Sequence, residues 1–349
     1  MAVRGAVHRW WTVSAVILTL VLGGAPHAAA ATAQNPAARS HVLIIAGVGG
    51  EAAYRDAFHK AAIDMATAAS QRFGLPDSNV IVLTEDPARA PGRIAGRSTR
   101  ESVEKAIATL ANRAGPDDHV LLLLIGHGSQ QGEEARFNVP GPDLTAADFA
   151  RLLERFGPRR VALVNTASAS GGFVKPLSGR NRVIITATKS GFERNETLFP
   201  RFFVQAFTAD VADADKDNRL SILEAFVYAK REVARAYETE NRLLTEHALL
   251  DDNGDGVGSA EPDARTGDGS LARSTFLAAG RPSVAAAASN DPRLRTLLAE
   301  KQTIERQIDS LRLRKETMDA TAYEQELEKL LVSLAQKNRT IREIEGRTP

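Results

Sequence analysis

The stretch His119–Ser129, HVLLLLIGHGS, decides the fold of this chain. Six apolar residues in a row, ended by a glycine, are typical of a strand that is buried on both faces of a parallel sheet. Similar short apolar runs recur with amphipathic segments between them, so the sequence predicts an α/β fold with a mostly parallel sheet flanked by helices. The other predicted strands are Val42–Ala46, Asn79–Leu83, Arg160–Asn165 and Arg182–Thr186, and the predicted helices are Ala53–Arg72, Thr99–Ala114 and Thr145–Phe156.

The composition excludes several classes of function. Lys and Arg (44) nearly balance Asp and Glu (43) in the 349 residues, and a net charge of +1 gives no general attraction for nucleic acid. The chain has no cysteine, which excludes disulfides, thiolate metal sites and a cysteine nucleophile. Because of the balanced charge, we expect no nucleic-acid partner.

Two motifs follow predicted strands, where an open α/β sheet collects its chemistry. Gly126–Ser129 offers a histidine between glycines, and Asn165–Phe173 offers small hydroxyl side chains. Because the carboxyl ends of parallel strands meet at one edge, His127 and Ser168 form a candidate dyad for acyl transfer. The alternative is that both segments are ordinary turns rich in glycine and serine.

These motifs resemble the legumain-like cysteine peptidases, which share their fold with caspases. His41–Gly47, Ala53–Arg55, Leu75–Leu83 and Gly115–Val120 also follow that family in order and spacing, so the resemblance covers roughly residues 41 to 210. It implies a caspase-like fold. It also implies the catalytic histidine position for His127, an oxyanion-hole position for Gly128 and substrate-side positions for Arg55 and Thr166.

The chain departs from the family at three positions of the site. Ser168 stands where the nucleophilic cysteine belongs, Ala53 where an asparagine orients the histidine, and Thr166 where a glutamate lines the specificity pocket. A serine hydroxyl is a far weaker acid than a thiol and needs a closely bonded base. We predict an inactive homologue that binds a peptide or protein. The alternative is a hydrolase with a Ser168–His127 dyad, and a third hypothesis makes the C-terminal helices the functional part.

The segment 213–224 matches the calcium loop of an EF-hand. Oxygen side chains occupy positions 1, 3, 5 and 9, a glutamate occupies position 12, and Asn218 replaces the usual glycine at position 6. The sequence therefore predicts Ca²⁺ binding within an EF-hand-like region, 213–265, an insertion that completes the α/β domain begun by residues 34–212. An acidic turn without metal is the alternative. The predicted ligands are Asp213, Asp215, Asp217, the carbonyl of Arg219, Ser221 and Glu224.

A second acidic loop, 251–262, has the oxygen side chains and the glycine of a calcium loop but has Pro262 at position 12. It is either a degenerate partner loop that binds metal or a turn that caps the preceding element. Both interpretations stay open from the sequence.

The two ends of the chain have different compositions. Residues 1–33 predict a signal peptide, with an uncleaved anchor as the alternative, so we expect export to the periplasm or the medium and no later membrane span. Residues 266–292 predict a linker. Apolar residues at alternating spacings of three and four over 293–346 predict an antiparallel coiled-coil hairpin that serves either as a clasp or for docking and self-association.

Overall fold

The computed structural model of the protein describes residues 40–216, 219–263, 267–277, 291–313 and 318–344. Its strands are β1 (Ser40–Ala46), β2 (Val80–Thr84), β3 (Gly96–Arg97), β4 (His119–Ile125), β5 (Gly128–Gln131), β6 (Glu134–Phe137), β7 (Leu144–Thr145), β8 (Arg160–Asn165), β9 (Arg182–Thr186) and β10 (Leu249–Asp251). Its helices are α1 (Ala52–Thr67), α2 (Arg100–Arg113), α3 (Ala146–Leu153), α4 (Val174–Leu177), α5 (Phe199–Thr208), α6 (Ile222–Thr239), α7 (Ser270–Arg273), α8 (Pro292–Leu313) and α9 (Ala320–Ile344).

The main sheet has the strand order β10-β9-β8-β4-β1-β2-β3. All neighbouring strands are parallel except β10, which runs antiparallel to β9. The five predicted strands are present, and the mostly parallel sheet flanked by helices is confirmed. Such a sheet is consistent with a caspase-like fold. A small antiparallel sheet, β5-β6-β7, was not predicted from the sequence.

Helices cover both faces of the main sheet because its strands are apolar on both sides. Val42 and Ile44 of β1 belong to one buried cluster, which α1, α5 and α6 complete. Leu43 and Ile45 point the other way and pack with residues of α2 and α3. The predicted helix start at Thr99 is also confirmed, since its hydroxyl accepts a hydrogen bond from the backbone nitrogen of Ser102 at 3.3 Å.

The register of the central strands positions the site. β4 pairs with β8 so that Leu124 lies beside Asn165. The residues that follow these two strands, Gly126–Gly128 and Thr166–Ser168, therefore leave the sheet side by side. The adjacency expected from the sequence is a direct result of this parallel pairing.

The two C-terminal helices lie close to the predicted positions, and the ammonium of Lys337 in α9 lies 2.5 Å from the carboxylate of Glu300 in α8. The antiparallel hairpin and the EF-hand remain predictions. The predicted signal peptide, Asp217 and most of the predicted linker lie outside the described residues. Among the described helices, none combines the length and the hydropathy that a membrane span requires.

Candidate functional site

Ser168 lies directly against the backbone of Gly128. Its hydroxyl accepts a hydrogen bond from the Gly128 nitrogen at 3.3 Å and donates one to the Gly128 oxygen at 3.3 Å. Only 4% of Ser168 is exposed. A Cβ at position 128 would lie 2.4 Å from the carbonyl oxygen of Ser168, so glycine is required for this close approach.

The imidazole of His127 packs against two aromatic rings of α1. The ring of Tyr54 lies edge-on at 4.9 Å between centroids and that of Phe58 at 5.1 Å. The backbone oxygen of His127 accepts from the Asn138 nitrogen at 3.0 Å, which fixes the turn. In the part of the chain that the structure describes, no hydrogen bond is made by the imidazole, neither to Ser168 nor to an orienting group. The histidine is held by packing.

Tyr54 connects this imidazole to an acidic residue. Interaction of its hydroxyl with the Glu196 carboxylate, through hydrogen bonding and negative charge, raises the pKa of the phenol. The phenol therefore stays protonated. Tyr54 thus has its ring on His127 and its hydroxyl facing the charge of Glu196.

Thr166, predicted to be substrate-binding, is fully buried, with 0% of the residue exposed. Its hydroxyl donates to the backbone oxygen of Leu124 at 2.7 Å, and its own backbone oxygen accepts from the hydroxyl of Thr197 at 2.6 Å. The Thr166 side chain thus links the segment that follows β8 to the end of β4 inside the protein. A role in substrate binding stays a prediction, and in this conformation the side chain offers no surface to a ligand.

Arg55, the other predicted substrate-side residue, is exposed and lines a cavity of about 310 Å³ at the carboxyl ends of β1 and β2. Its guanidinium donates to the backbone oxygen of Gly50. The cavity is bounded by residues that include neither His127 nor Ser168, although Phe58 contributes both to the cavity wall and to the contact with His127. The lining residues are Ala46, Gly47, Ala52, Arg55, Asp56, Phe58, His59, Thr84, Glu85, Asp86 and Arg89.

Several polar residues of this cavity were missed from the sequence. Arg89 forms an ion pair with Asp56 at 2.8 Å, and Glu85 accepts from the Gly49 nitrogen at 3.0 Å. Burial, reinforced by the charge of Arg89, lowers the pKa of His59, so this imidazole is neutral near pH 7. The hydroxyl of Thr84 is buried and has no partner in the described part of the chain. A signal that could have located the cavity is the polar run Thr84–Asp86 directly after a strand.

The predicted calcium ligands Asp213, Asp215 and Glu224 come together. One carboxylate oxygen from each lies within 4.8 Å of the others, which is close enough to share one ion. Glu224 also accepts from the Ala214 nitrogen at 2.9 Å through Oε1, and from the nitrogen and hydroxyl of Ser221 at 2.9 and 2.8 Å through Oε2. Ser221 begins α6 with a reciprocal capping box. These oxygens suit a hard cation such as Ca²⁺.

Arg219, for which the sequence predicted a backbone ligand only, lies next to this cluster in the chain. Arg219 is buried, and its guanidinium lies 3.5 Å above the ring centroid of Phe276. The adjacent Ser221 forms a β-bridge to Phe276. The chain after α7 thus lies beside this loop, and the loop at 251–262 makes no such bridge to it within the described residues.

The chain was also compared with known proteins. No family model matches it, and no curated protein sequence matches it.

Proposed function

We propose that this chain is an exported, catalytically inactive homologue of the legumain-like peptidases, which binds calcium and holds a peptide or protein segment without cleaving it. The observation that carries the proposal is the pairing of the Ser168 hydroxyl with the Gly128 backbone at 3.3 Å in both directions. That pairing uses the hydroxyl proton and also the backbone N–H expected to stabilise an oxyanion.

A serine nucleophile needs a base that takes its proton and a third group that orients the base. Neither is in place in the described residues. The His127 ring is packed by Tyr54 and Phe58, and Ala53 offers no hydrogen bond where the family has an asparagine. The chain has no cysteine that could replace Ser168 as the nucleophile.

Ligand binding is supported by the cavity beside Arg55. Its lining combines cationic and anionic side chains, Arg55 and Arg89 with Asp56, Glu85 and Asp86. A volume of about 310 Å³ accommodates one or two amino-acid side chains. Polar walls of both signs favour a polar peptide segment over an apolar small molecule. Phe58 connects this cavity to the His127 turn, so one extended ligand would cover both.

The rival hypothesis is a serine hydrolase in which Ser168 attacks an ester or amide and His127 carries the proton. One observation favours it: Ser168 and the His127–Gly128 turn leave adjacent strands and already contact each other. In that mechanism the hydroxyl must turn from the Gly128 oxygen to the imidazole, and the Gly128 nitrogen must then bind the oxyanion.

Labelling by a fluorophosphonate probe distinguishes the two hypotheses. The protein without its first 33 residues is incubated with the probe, beside the variants Ser168→Ala and Ser129→Ala. We expect no labelling of any of the three proteins. Labelling that is lost in Ser168→Ala and kept in Ser129→Ala would establish the hydrolase and end the inactive-homologue proposal.

The variant Ser168→Cys tests whether the remainder of the site can still support catalysis. A thiolate does not depend on general-base assistance to the extent that a hydroxyl does. We expect Ser168→Cys to cleave a mixture of unlabelled peptides, detected by mass spectrometry, and Ser168→Ala to leave the same mixture intact. Cleavage by the unmodified protein at a similar rate would contradict the proposal.

The calcium part of the proposal is tested by thermal unfolding. Calcium that binds the folded loop and not the unfolded chain raises the melting temperature. We expect a chelator to lower the melting temperature of the unmodified protein and to have a smaller effect on Glu224→Gln. Glu238→Gln, an exposed position on the same helix, is the matched control and should respond as the unmodified protein does. Identical melting curves with calcium and with chelator would remove calcium from the proposal.

Export and partner binding complete the proposed function. Residues 1–33 would direct the chain to the periplasm or the medium, and the helices over 293–346 would serve for self-association or for docking on a partner. An ion pair between Lys337 and Glu300 supports the pairing of these helices. Peptide binding at the cavity and docking through these helices are two separate parts of the proposal.

A further inference from the structure

The loop that begins at the end of β10 is closed at its base and carries four carboxylate or amide side chains, at positions 251, 252, 253 and 255. Leu250 and Ser259 exchange two backbone hydrogen bonds of 2.9 and 2.8 Å, so the residues between them form a compact loop. Asp251, Asn253 and Asp255 lie at alternate positions of this loop. Gly254 and Gly256 adopt φ values of +83° and +76°, which allow the chain to turn sharply between these side chains.

Among the residues that the structure describes, one oxygen of the Asp251 carboxylate has no hydrogen-bond partner. Only 1% of the residue is exposed. Its Oδ1 accepts from the Gly254 nitrogen at 3.2 Å, which places the carboxylate inside the loop. Its Oδ2 is buried and has no hydrogen-bond partner among the described residues. A buried ionised oxygen without a partner is strongly unfavourable unless a cation neutralises it.

The neighbouring carboxylates make the need for a cation greater. Asp252 is buried and accepts from the nitrogens of Gly269 and Ala272 at 2.7 Å each, so it caps α7. Asp268 is also buried and accepts from the nitrogens of Asp252 and Asn253 at 2.9 and 3.2 Å. Both carboxylates accept hydrogen bonds from backbone nitrogens, and both add negative charge beside Asp251. Within the described residues, Asp251 forms no ion pair with a lysine or arginine.

We propose that this loop is a second calcium site, with Asp251 Oδ2, Asn253 and Asp255 as its side-chain ligands. Calcium fits because the donors are all oxygens and the ion tolerates irregular, flexible coordination. The carbonyl of Val257 corresponds to the backbone ligand of a calcium loop. With Pro262 in place of a bidentate glutamate, the site binds more weakly than the loop at 213–224, by on the order of tenfold.

The test is the number of calcium ions bound per chain, measured by isothermal titration calorimetry on the protein without its first 33 residues. We expect two ions for the unmodified protein and one for Asp255→Ala, which removes the ligand oxygens at an exposed position and leaves the core intact. Glu224→Gln should also retain one ion, and the double variant should bind none. Glu261→Gln, an exposed acidic residue just past the loop, is the matched control and should bind two.

The second calcium site does not depend on the proposed function. The variants test it separately from the calcium site at 213–224. Binding that is lost completely in Glu224→Gln and is unchanged in Asp255→Ala would overturn the second site. Binding that is unchanged in Glu224→Gln and lost in Asp255→Ala would support the second site and remove the first. Asp251→Asn provides a further check: in chelator its melting temperature should be no lower than that of the unmodified protein, because the buried charge is relieved, and calcium should raise it by less.

Discussion

The backbone nitrogen of Gly128 donates to the hydroxyl of Ser168 at 3.3 Å, and the backbone oxygen of Gly128 accepts from the same hydroxyl at the same distance. The residue that the family resemblance assigns to the oxyanion hole is thus bonded to the residue at the nucleophile position. These two hydrogen bonds hold the segments that follow β4 and β8 together. Several consequences of this geometry, and of the structure around it, can be measured.

Gly128 should not tolerate a side chain. In Gly128→Ala the new Cβ would lie 2.4 Å from the Ser168 oxygen and 3.0 Å from the Arg136 oxygen, both of which are backbone atoms. We expect the free energy of unfolding, measured in urea, to fall by about 1–3 kcal/mol because the strand ends must separate. The control is Gly96→Ala, where the nearest atom would be a Leu83 methyl at 3.7 Å. Equal stability of the two variants would contradict the close packing at Gly128.

Thr166 should behave as a structural residue. Thr166→Val removes the hydrogen bond to the Leu124 oxygen and should lower the free energy of unfolding by about 1 kcal/mol. Thr166→Glu, which restores the family's residue, places a carboxylate at a position with 0% exposure and should lower it by several kcal/mol. Urea unfolding of both variants checks this. A Thr166→Glu variant as stable as Thr166→Val would show that the side chain reaches solvent, as a pocket residue would.

The part of the fold that the sequence predicts well is the part made of long apolar runs. The apolar run at His119–Ile125 and the similar runs beside it determined the strands, and the pairing of their ends brought Gly128 against Ser168. The small sheet was missed because β5 (GSQQ) and β6 (EARF) have no apolar run and form only through pairing with each other. The cavity was missed because Asp56 and Arg89 meet only when α1 packs beside β2.

The pairing of α8 and α9 can be tested in a chain that has no cysteine of its own. Because Glu300 and Lys337 form an ion pair through two long side chains, cysteines at both positions should be joined within one chain by a short bifunctional maleimide, which spans a similar distance. The control pair, Glu300→Cys with Glu324→Cys, should not, since 13 residues of helix separate position 324 from 337 by about 20 Å. Non-reducing electrophoresis provides the measurement. A cross-linked dimer in place of the monomer would assign the contact to self-association.

Glu246 should make stability depend on pH. It is 3% exposed and accepts from the nitrogens of Leu198 and Phe199 at 2.7 and 3.1 Å, at the start of α5. Burial raises its pKa from 4.5 to about 7, although these hydrogen bonds oppose the shift. The folded state therefore holds a proton that the unfolded chain has released between about pH 4.5 and 7, so this residue's contribution to stability falls as the pH rises through that range.

Glu246→Gln removes this titration while it keeps an oxygen for the helix start. The free energy of unfolding of the unmodified protein, relative to that of Glu246→Gln, should fall by about 2–3 kcal/mol between pH 5 and pH 8. Other carboxylates cancel in the difference because both proteins contain them. Urea unfolding at several pH values measures it, with Glu240→Gln, an exposed position, as the control with no such trend. A difference that stays constant with pH would mean that Glu246 ionises in the folded protein as readily as in the unfolded chain.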